Sequence, residues 1–318
     1  MRAAVVTSFD TPPAYRDFPT PTPEPPDEVL VDVVAAGLHP RVRSQANGSH
    51  YTSSDELPLV PGIDGVGRAP DGTLRYFILP DTTMGAMAEQ TVVDLRRSIV
   101  VPDGSDSVVI AAAMNPAMSS WVALRRRINF EAGARVLVLA ATGNAGQLAV
   151  QVAKHLGASY VIGAGRRPER LAALTDLGAD ATVSLDGDPA GVAERLGRAA
   201  GDVDVVLDYV WGEAAANAML AVVMNRTDRG KPLAWIEVGS VGGPTAAIPS
   251  AALRAARLQI LGSGQGSVPT RDILAELPDL AAAITTGVFR IDARAIPLAD
   301  IETAWNDAGR DERIVITP

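Results

Sequence analysis

The chain of 318 residues carries a formal net charge of −9, and 47% of its residues are hydrophobic against 20% charged. This length suggests about two domains and suffices to bury a large core without disulfides or metals. The absence of cysteine excludes disulfides, a catalytic thiol and thiolate metal ligands, while the acidic balance disfavours nucleic acid and anionic membranes, which attract clustered basic residues.

Neither a targeting segment nor a membrane segment is expected. The chain begins MRAAVVTSFD, without the basic-then-apolar pattern of a signal peptide. No stretch approaches the roughly 18 consecutive apolar residues of a membrane span. The sequence therefore predicts a cytoplasmic protein with neither membrane nor nucleic-acid partners.

The first third of the chain predicts an irregular, mostly β domain. Strands are expected at Met1–Val6 and Glu28–Ala35, and the proline-rich Thr20–Pro26 between them is expected to be a loop. Two short strands follow at Thr91–Val93 and Ser98–Val101. Three glycines interrupt the intervening segment, as at a sharp turn of a small barrel: Gly62, Gly65 and Gly67.

From about residue 121, short apolar strands alternate with helices. Strands are expected at Arg135–Ala140, Ser159–Ala164, Ala181–Leu185, Val203–Val210, Leu233–Gly239 and Leu258–Leu261. Helices are expected at Ala145–Gly157, Pro168–Leu177, Pro189–Ala200, Glu213–Val223 and Ala251–Arg257. Six strands joined through helices by short connections predict a parallel, doubly wound sheet of the Rossmann type, hence an α/β fold.

The last part of the chain, from about Gly262, predicts one helix at Asp272–Thr286 and a final strand at Arg313–Thr317. We expect this part to fold back onto the first domain. The predicted division is a first domain over residues 1–120, a dinucleotide-binding domain over 121–263, and a return to the first domain over 264–318.

The most informative motif lies where the first strand of the alternating region meets its helix. Residues 140–146 read AATGNAG, a G-x-G-x-x-G pattern with alanine in its first place. Small residues let the backbone turn tightly and approach a pyrophosphate, whose charge the amides of a helix start favour. An ordinary strand-to-helix turn is the alternative, and the five further strands argue against it. The predicted cofactor-binding residues here are Ala141, Thr142, Gly143, Asn144, Ala145 and Gly146.

The end of the second strand indicates which dinucleotide binds. Sites for NAD usually place an acid about 20 residues beyond the glycines, where it bonds the ribose 2′-hydroxyl. Here Arg166 stands 20 residues beyond Gly146, between Gly165 and Arg167, and the nearest acid, Glu169, lies inside the next helix. Arginine suits a 2′-phosphate, so NADPH is expected, with Gly165, Arg166 and Arg167 at its site. Alternatively, both arginines are simply solvated at a helix start.

Several segments together resemble the zinc-independent quinone oxidoreductases of the medium-chain dehydrogenase/reductase superfamily. The resemblance covers nearly the whole chain, and the block AATGNAGQLAVQVAKHLGA at 140–158 is its most specific part. Further matching segments are VLVDVVAAGLHP at 29–40, LPLVPGIDGVG at 57–67, GAMAEQTVV at 85–93, VVLDYVWGE at 205–213, WIEVGS at 235–240 and the closing RIVITP.

This resemblance implies a GroES-like substrate domain interrupted by a Rossmann domain, with the active site in the cleft between them. It also implies that Leu258–Leu261 is an edge strand that pairs across a homodimer. Pairing is physically reasonable because an exposed apolar edge strand otherwise invites aggregation.

Departures from the zinc-dependent relatives predict that no metal is bound. Those relatives carry Cys near position 39 and Gly-His-Glu before the glycine run, where this chain has His39 and Gly62-Ile63-Asp64. Isoleucine cannot bind metal, and His39 with Asp64 gives too few ligands for a typical catalytic zinc. The quinone oxidoreductases usually carry Asn where His39 stands. Asp64 is expected to bond backbone in the glycine-rich turn.

Two residues are predicted to be catalytic, His39 and Tyr51. Imidazole can stabilise a developing oxyanion or supply a proton near neutral pH; alternatively, His39 caps a turn before Pro40. Tyr51 stands where related reductases often carry tyrosine, although His50 fits that place in another register. A phenol can donate a proton or hydrogen-bond a carbonyl. The alternative for Tyr51 is an aromatic residue on a surface loop.

Further cofactor contacts are expected near the nicotinamide. Asn115, with Pro116, precedes the linking helix and resembles a segment of enoyl-thioester reductases, although a helix-entry turn would look the same. Ligands in such sheets bind at the carboxyl ends of strands. Tyr209, Gly239 and Ser240 lie at those ends and are predicted to contact the cofactor.

The predicted function is NADPH-dependent reduction of quinones or α,β-unsaturated carbonyls by hydride transfer without zinc. One alternative is an enoyl-thioester reductase, which needs a basic path for a carrier phosphate, and Arg125-Arg126-Arg127 is the one obvious basic cluster. Another is a non-catalytic NADPH-binding or sensor protein. The sequence does not name the physiological substrate.

Overall fold

The computed structural model describes residues 1–53, 55–307 and 312–318, which form two compact units. Unit 1 comprises Met1–Asn115 and Leu277–Pro318, and unit 2 comprises Pro116–Glu276. The strands are β1 Arg2–Val5, β2 Ala14–Asp17, β3 Glu28–Gly37, β4 Asp64–Arg68, β5 Leu74–Ile78, β6 Gln90–Asp94, β7 Ser98–Val100, β8 Arg135–Leu139, β9 Tyr160–Gly165, β10 Ala181–Ser184, β11 Val205–Asp208, β12 Leu233–Glu237, β13 Leu258–Gly262, β14 Ala293–Pro297 and β15 Arg313–Thr317. The helices are α1 Pro40–Ala46, α2 Ser107–Val122, α3 Asn144–His155, α4 Pro168–Ala173, α5 Pro189–Ala200, α6 Gly212–Met224, α7 Ser250–Ala255, α8 Thr270–Thr285 and α9 Ile301–Asn306.

Unit 2 contains a six-stranded parallel sheet in the order β10-β9-β8-β11-β12-β13. Its strands are short and apolar because both of their faces are covered, as parallel sheets require. The buried side chains of Leu137, Val206 and Trp235 form part of its core with residues of α5 and α6. The predicted Rossmann-type sheet is confirmed, and its order reverses between β8 and β11, where such folds bind ligands.

Local signals place the helices of unit 2. Pro168 and Pro189 stand in the first turns of α4 and α5, where the missing amide of proline costs nothing. The Asp188 carboxylate caps α5 by accepting a hydrogen bond from the Gly191 amide at 2.9 Å. The predicted extent of the second helix is too long, since α4 ends at Ala173 rather than Leu177.

Unit 1 contains a sheet in the order β14-β15-β3-β4-β5-β7, with β6 also paired to β3, and a separate β1-β2 hairpin. All pairs are antiparallel except β14 with β15. Gly65 and Gly67 lie inside β4, and a Cβ on them would come within 2.9 Å of the Ala35 carbonyl oxygen and 2.8 Å of Val31, respectively. The glycines thus permit the close approach of β3, whose register shifts at this point.

Several elements of unit 1 were not expected from the sequence. They are β2, β4, β5, α1, α9 and β14, all of seven residues or fewer. Such short elements present too few turns or alternations for a period to be recognised. The final part of the chain therefore holds more than the predicted helix and strand.

The longest apolar helical stretch is α2 with the π-helical turn that continues it, Ser107–Arg127. Among the described residues it is the one helix long and apolar enough to cross a membrane, which the sequence reading overlooked. Two thirds of its most apolar window is buried inside the protein. A buried core helix has this character, so the stretch is weak evidence for a membrane span.

Candidate functional site

The segment between β8 and α3 turns sharply in the manner that the glycine motif predicts. Ala140 adopts a left-handed backbone with φ of 61°, and its carbonyl oxygen accepts a hydrogen bond from the Gly143 amide at 3.1 Å. Gly143 occupies the N-cap position of α3 and supplies no side-chain cap. The first amides of a helix have no partner within it, so those of Asn144 and Ala145 are available to an anion.

The small residues of this segment meet two different requirements. A Cβ on Gly146 would lie 2.6 Å from Ala141 Cα and closer still to the Ala140 carbonyl oxygen, so α3 packs directly on the end of β8. The nearest atom to a Cβ on Gly143 would be 3.6 Å away. Gly146 is therefore required by the fold, whereas Gly143 leaves open space beside the helix start.

The end of β9 approaches the same segment from the neighbouring strand. A Cβ on Gly165 would lie 2.7 Å from Thr142 Oγ1, which leaves room for glycine alone. Arg166 and Arg167 follow it and are exposed, and no acid intervenes. Exposed guanidinium groups at the carboxyl end of β9 are suited to a phosphate on the ribose of a dinucleotide.

A third arginine, Arg170 in α4, was missed by the sequence reading. It is half-buried, and its Nη1 donates a hydrogen bond to the Thr142 carbonyl oxygen at 2.7 Å. Burial, followed by the charge of Arg167, lowers the pKa of Arg170. Arg170 therefore fixes the glycine-motif segment against α4. A sequence signal was available, since Arg170 lies within the first helical residues after Arg166 and Arg167.

Residues at the carboxyl end of β11 are held by buried hydrogen bonds. The Tyr209 hydroxyl lies 2.8 Å from Ser119 Oγ, and burial raises the pKa of Tyr209 to about 12. The Asp208 carboxylate accepts bonds from the Val210 and Trp211 amides and from Trp235 Nε1, at 2.8 to 3.0 Å. Burial raises the pKa of Asp208. Tyr209, predicted to contact cofactor, is thus a buried residue whose hydroxyl is engaged within unit 2.

The other predicted contacts at this edge are more accessible. Gly239 is half-buried and Ser240 is exposed, directly after β12. The Gly239 amide donates to the Asp208 carbonyl oxygen at 3.2 Å. Asn115 was expected to precede a helix, and this is wrong: it lies inside α2, followed by Pro116 within the same helix. The helix tolerates this proline, so the residue before it did not mark a boundary.

A cavity of about 390 Å³ opens in unit 2 beside the carboxyl ends of β8, β10 and β11. Leu139, Leu185 and Val210, from the ends of these strands, line it together with residues of α5 and α6. Its walls are mainly apolar, with Glu213 and Asn217 as polar members. Its position at the strand ends and its apolar lining suit a flat aromatic base.

The predicted catalytic residue His39 lies in the interior of unit 1. It precedes α1, its side chain is 3% exposed, and its Nε2 lies 2.9 Å from Asp64 Oδ1. The Tyr76 hydroxyl donates to Asp64 Oδ2 at 2.8 Å. Asp64 was expected to bond backbone; instead its two carboxylate oxygens bond two side chains. The expected alternative was that His39 caps a turn before Pro40. It occupies the N-cap position of α1, but its side chain makes no capping hydrogen bond.

Arg313, at the start of β15, completes this group and was not singled out from the sequence. It is buried, its Nη1 lies 3.5 Å from the Leu38 carbonyl oxygen, and the Asp64 charge attracts it. Burial lowers the pKa of Arg313 to about 10. No sequence signal connects Arg313 to Asp64, since they are almost 250 residues apart and β15 comes near only through its pairing with β3.

Tyr51, the second predicted catalytic residue, is 75% exposed, and its ring lies 4.3 Å from that of His50. His50 Nδ1 lies 2.8 Å from Thr52 Oγ1, which in turn donates to Asp81 Oδ2 at 2.5 Å. Burial, followed by the charge of Arg41, lowers the pKa of His50 to about 4. The catalytic role of Tyr51 stays a prediction. Among the described residues, no group of three or more His, Asp and Glu could hold a metal ion.

Comparison with known proteins places the chain in a family. A family model described as zinc-binding dehydrogenase matches residues 145–282. A probable NADPH-dependent quinone reductase of Emericella nidulans is 32% identical over the whole of both chains. A chloroplastic NADPH-dependent alkenal/one oxidoreductase of Arabidopsis thaliana is 30% identical over 49% of this chain and 45% of its own.

Solved structures agree with these relatives. The quinone oxidoreductase of Thermus thermophilus, also solved as a complex with NADPH, aligns over all of both chains with a TM-score of 0.79 and 25% identity. A mycobacterial quinone oxidoreductase shares the fold with a TM-score of 0.83 at 23% identity. The chain belongs to the quinone oxidoreductase family of the medium-chain dehydrogenase/reductase superfamily.

Proposed function

We propose that this protein is an NADPH-dependent reductase of quinones or α,β-unsaturated carbonyls that works without zinc. Unit 2 is then the cofactor-binding domain and unit 1 the substrate domain. The observation that carries the proposal is the glycine-motif segment, with open space at Gly143 and the paired exposed arginines Arg166 and Arg167 at the end of the neighbouring strand. Family membership and the activities named for the relatives support it.

The residues present fit NADPH in three places. The amides of Asn144 and Ala145 at the start of α3 would hold the pyrophosphate. Arg166 and Arg167 would hold the 2′-phosphate. The cavity beside Leu139, Leu185 and Val210 would take the adenine ring. Gly239 and Ser240 lie at the carboxyl end of β12 and remain candidates for the nicotinamide end.

NADPH, when bound, supplies a hydride to the acceptor. The protein's own task is to orient the acceptor and to supply a proton to the oxygen that gains the electron pair. We assign that proton donation to His39, because an imidazolium N–H can act as a general acid. The expectations of a cytoplasmic location and of no nucleic-acid or membrane partner stay predictions.

We also propose that the protein is a homodimer formed through β13. This strand lies at the edge of the sheet of unit 2, and its Leu258, Ile260 and Leu261 are half-buried. An edge strand presents unpaired backbone groups to a second copy. Light scattering should give twice the chain mass of 33.1 kDa, and a mass of one chain would contradict the proposal.

The test of the proposed function compares Arg166→Ala with Arg198→Ala. Arg198 is an exposed arginine of α5 paired to Glu194, so both variants remove one positive charge from unit 2. Removing a charge-assisted bond to phosphate costs about 1.5–3 kcal/mol. We therefore expect Arg166→Ala to weaken NADPH binding roughly 10-fold to 100-fold, with NADH little changed, and Arg198→Ala to change neither.

Binding is measured by titration of cofactor fluorescence, and turnover with a panel of quinones and enones in the presence of a chelator. Preference of the wild type for NADH would overturn the role of Arg166. NADPH binding without turnover on any acceptor would contradict the proposed reductase activity. Loss of turnover in the presence of the chelator would contradict the proposal that the enzyme works without zinc.

A further inference from the structure

Four polar side chains meet inside unit 1 although they are scattered along the chain. His39 follows β3, Asp64 opens β4, Tyr76 lies in β5 and Arg313 opens β15. The sheet brings them together because β15, β3, β4 and β5 are consecutive neighbours in it. All four are at most 5% exposed. A buried group of this composition is costly unless its charges and hydrogen bonds are satisfied.

The hydrogen bonds define where the protons lie. An ionised carboxylate only accepts, so Asp64 takes a hydrogen from His39 Nε2 through one oxygen and from the Tyr76 hydroxyl through the other. Burial, with the Asp64 charge, keeps the pKa of Tyr76 well above its usual range, so its hydroxyl remains a donor. Arg313 is attracted by the Asp64 charge, which opposes the larger lowering of the Arg313 pKa by burial.

This arrangement leaves one imidazole nitrogen for chemistry. Within the part of the chain that the structure describes, His39 makes the single hydrogen bond to Asp64, and its Nδ1 is bonded to no residue. His39 is not completely enclosed, since 3% of its surface is exposed. With Nε2 committed to Asp64, only Nδ1 can exchange a proton with a substrate.

We propose that Asp64 is the positioning residue of His39: it holds the Nε2–H tautomer, with Tyr76 fixing the carboxylate, so that Nδ1 is the proton-donating atom. This inference rests on the proposed function. Hydride addition places an electron pair on the acceptor oxygen. The Nδ1–H bond of the imidazolium then breaks, its proton forms an O–H bond at that oxygen, and neutral imidazole remains. A hydronium ion of the solvent then returns a proton to Nδ1 and leaves water, while Nε2–H stays hydrogen-bonded to Asp64 in both states.

The first readout needs neither cofactor nor substrate. Nitrogen NMR of ¹⁵N-histidine protein reports which ring nitrogen carries the hydrogen, and the chain has three histidines, so His39→Asn assigns the signal. In the wild type we expect neutral His39 to carry hydrogen on Nε2. Asp64→Asn keeps an acceptor oxygen and should keep this tautomer, whereas Asp64→Leu removes the acceptor and should give a mixture or Nδ1–H.

The second readout is catalytic. Asp64→Asn removes the charge that stabilises imidazolium, so we expect kcat with the best acceptor to fall about 100-fold or more, with a larger solvent deuterium isotope effect and unchanged NADPH affinity. Asp81→Asn is the matched control. Asp81 is a half-buried carboxylate of the same unit that pairs with Arg41 and does not touch His39. In Asp81→Asn we therefore expect kcat within about twofold of the wild-type value and the same His39 tautomer.

Three results would overturn the inference: an Nδ1–H tautomer in the wild type, a tautomer unchanged in Asp64→Leu, or equal losses of kcat in Asp64→Asn and Asp81→Asn. If Asp64→Leu does not fold, Tyr76→Phe is measured instead. We expect a smaller share of the Nε2–H tautomer of His39 in Tyr76→Phe, and an unchanged share would contradict the role of Tyr76. A chain that binds NADPH but reduces no acceptor would contradict the proposed function, and the tautomer in the unliganded protein would still decide the role of Asp64.

Discussion

The glycine-motif segment of unit 2 and the His39 group of unit 1 are built in opposite ways. The segment occupies seven consecutive residues, 140–146, and acts through backbone amides and the absence of side chains. The His39 group acts through side chains drawn from positions 39, 64, 76 and 313. A backbone site is encoded locally, whereas a side-chain site of this kind depends on the register of four strands.

This difference predicts how the two regions respond to substitution. At Gly146 a single added methyl group is decisive, because it meets backbone that cannot move aside. In the His39 group volume matters less than the identity of the hydrogen-bonding atoms. Replacing a glycine of this segment by alanine is therefore the most severe test of whether the segment depends on the absence of side chains.

The largest effect is expected for Gly146→Ala. Its Cβ would lie 2.6 Å from Ala141 Cα, and overpacking against backbone costs about 3 kcal/mol or more. We expect Tm to fall by roughly 10 °C without any ligand present. Gly143→Ala is the matched variant: its Cβ would have no neighbour nearer than 3.6 Å, so Tm should stay within about 2 °C.

NADPH affinity is a second measurement that distinguishes Gly143 from Gly146. If the pyrophosphate approaches the backbone at Gly143, the added methyl should weaken NADPH binding at least roughly tenfold in a stably folded protein. Thermal unfolding and fluorescence titration of the two variants provide the measurements. Equal losses of Tm in both variants would show that the segment is only a tightly packed turn, and full NADPH affinity in Gly143→Ala would place the pyrophosphate elsewhere.

Sequence reasoning succeeded where the signal is local. The six strands of unit 2 were each identified within three residues at either end, because their apolar runs alternate with helices at regular intervals. The segment 140–146 was recognised for the same reason. The cofactor prediction depended on Arg166, whose distance from Gly146 is fixed by one strand and one helix.

It failed where contacts are distant. Asp64 was assigned to a backbone turn because its neighbours in sequence are glycines. Its real partners are His39, which follows the adjacent strand β3, and Tyr76 in the adjacent strand β5. Arg313 gave no signal at all. Asn115 was misplaced because Pro116 was taken as a helix boundary, although α2 continues through it. Tyr209 was placed at the cofactor by its strand end; it is buried, and its contact with the cofactor stays a prediction.

The two units also differ in the surroundings of their buried carboxylates. Asp64 has a nearby cation in Arg313, whereas the causes that shift Asp208 are burial and hydrogen bonds to backbone and indole. Glu237 is the register partner of Asp208 on β12, and burial followed by the Asp208 charge raises its pKa. Unit 2 therefore holds two neighbouring carboxylates that lower its stability when ionised.

The smallest predicted effect follows from this pair, in the variant Glu237→Gln. The folded-state pKa of Glu237 is raised, so the stability associated with its protonated form is fully present below the unfolded-state pKa of about 4.5 and is lost as pH rises through the folded value. Glutamine cannot ionise and avoids this loss. Because Glu237 is half-buried and partly screened, the gain at pH 7 should be below about 1 kcal/mol, or roughly 2 °C in Tm.

The pH dependence makes this small gain identifiable. The difference in Tm between Glu237→Gln and wild type should vanish near pH 4 and grow to its full value by neutral pH. Glu194→Gln, an exposed substitution on α5 of the same unit, controls for the loss of one negative charge. An increase in Tm that is equal at pH 4 and pH 7 would mean that glutamine stabilises by packing. A decrease in Tm at pH 7 would mean that ionised Glu237 has a favourable partner. The carboxylates of unit 2 would then be as well compensated as Asp64.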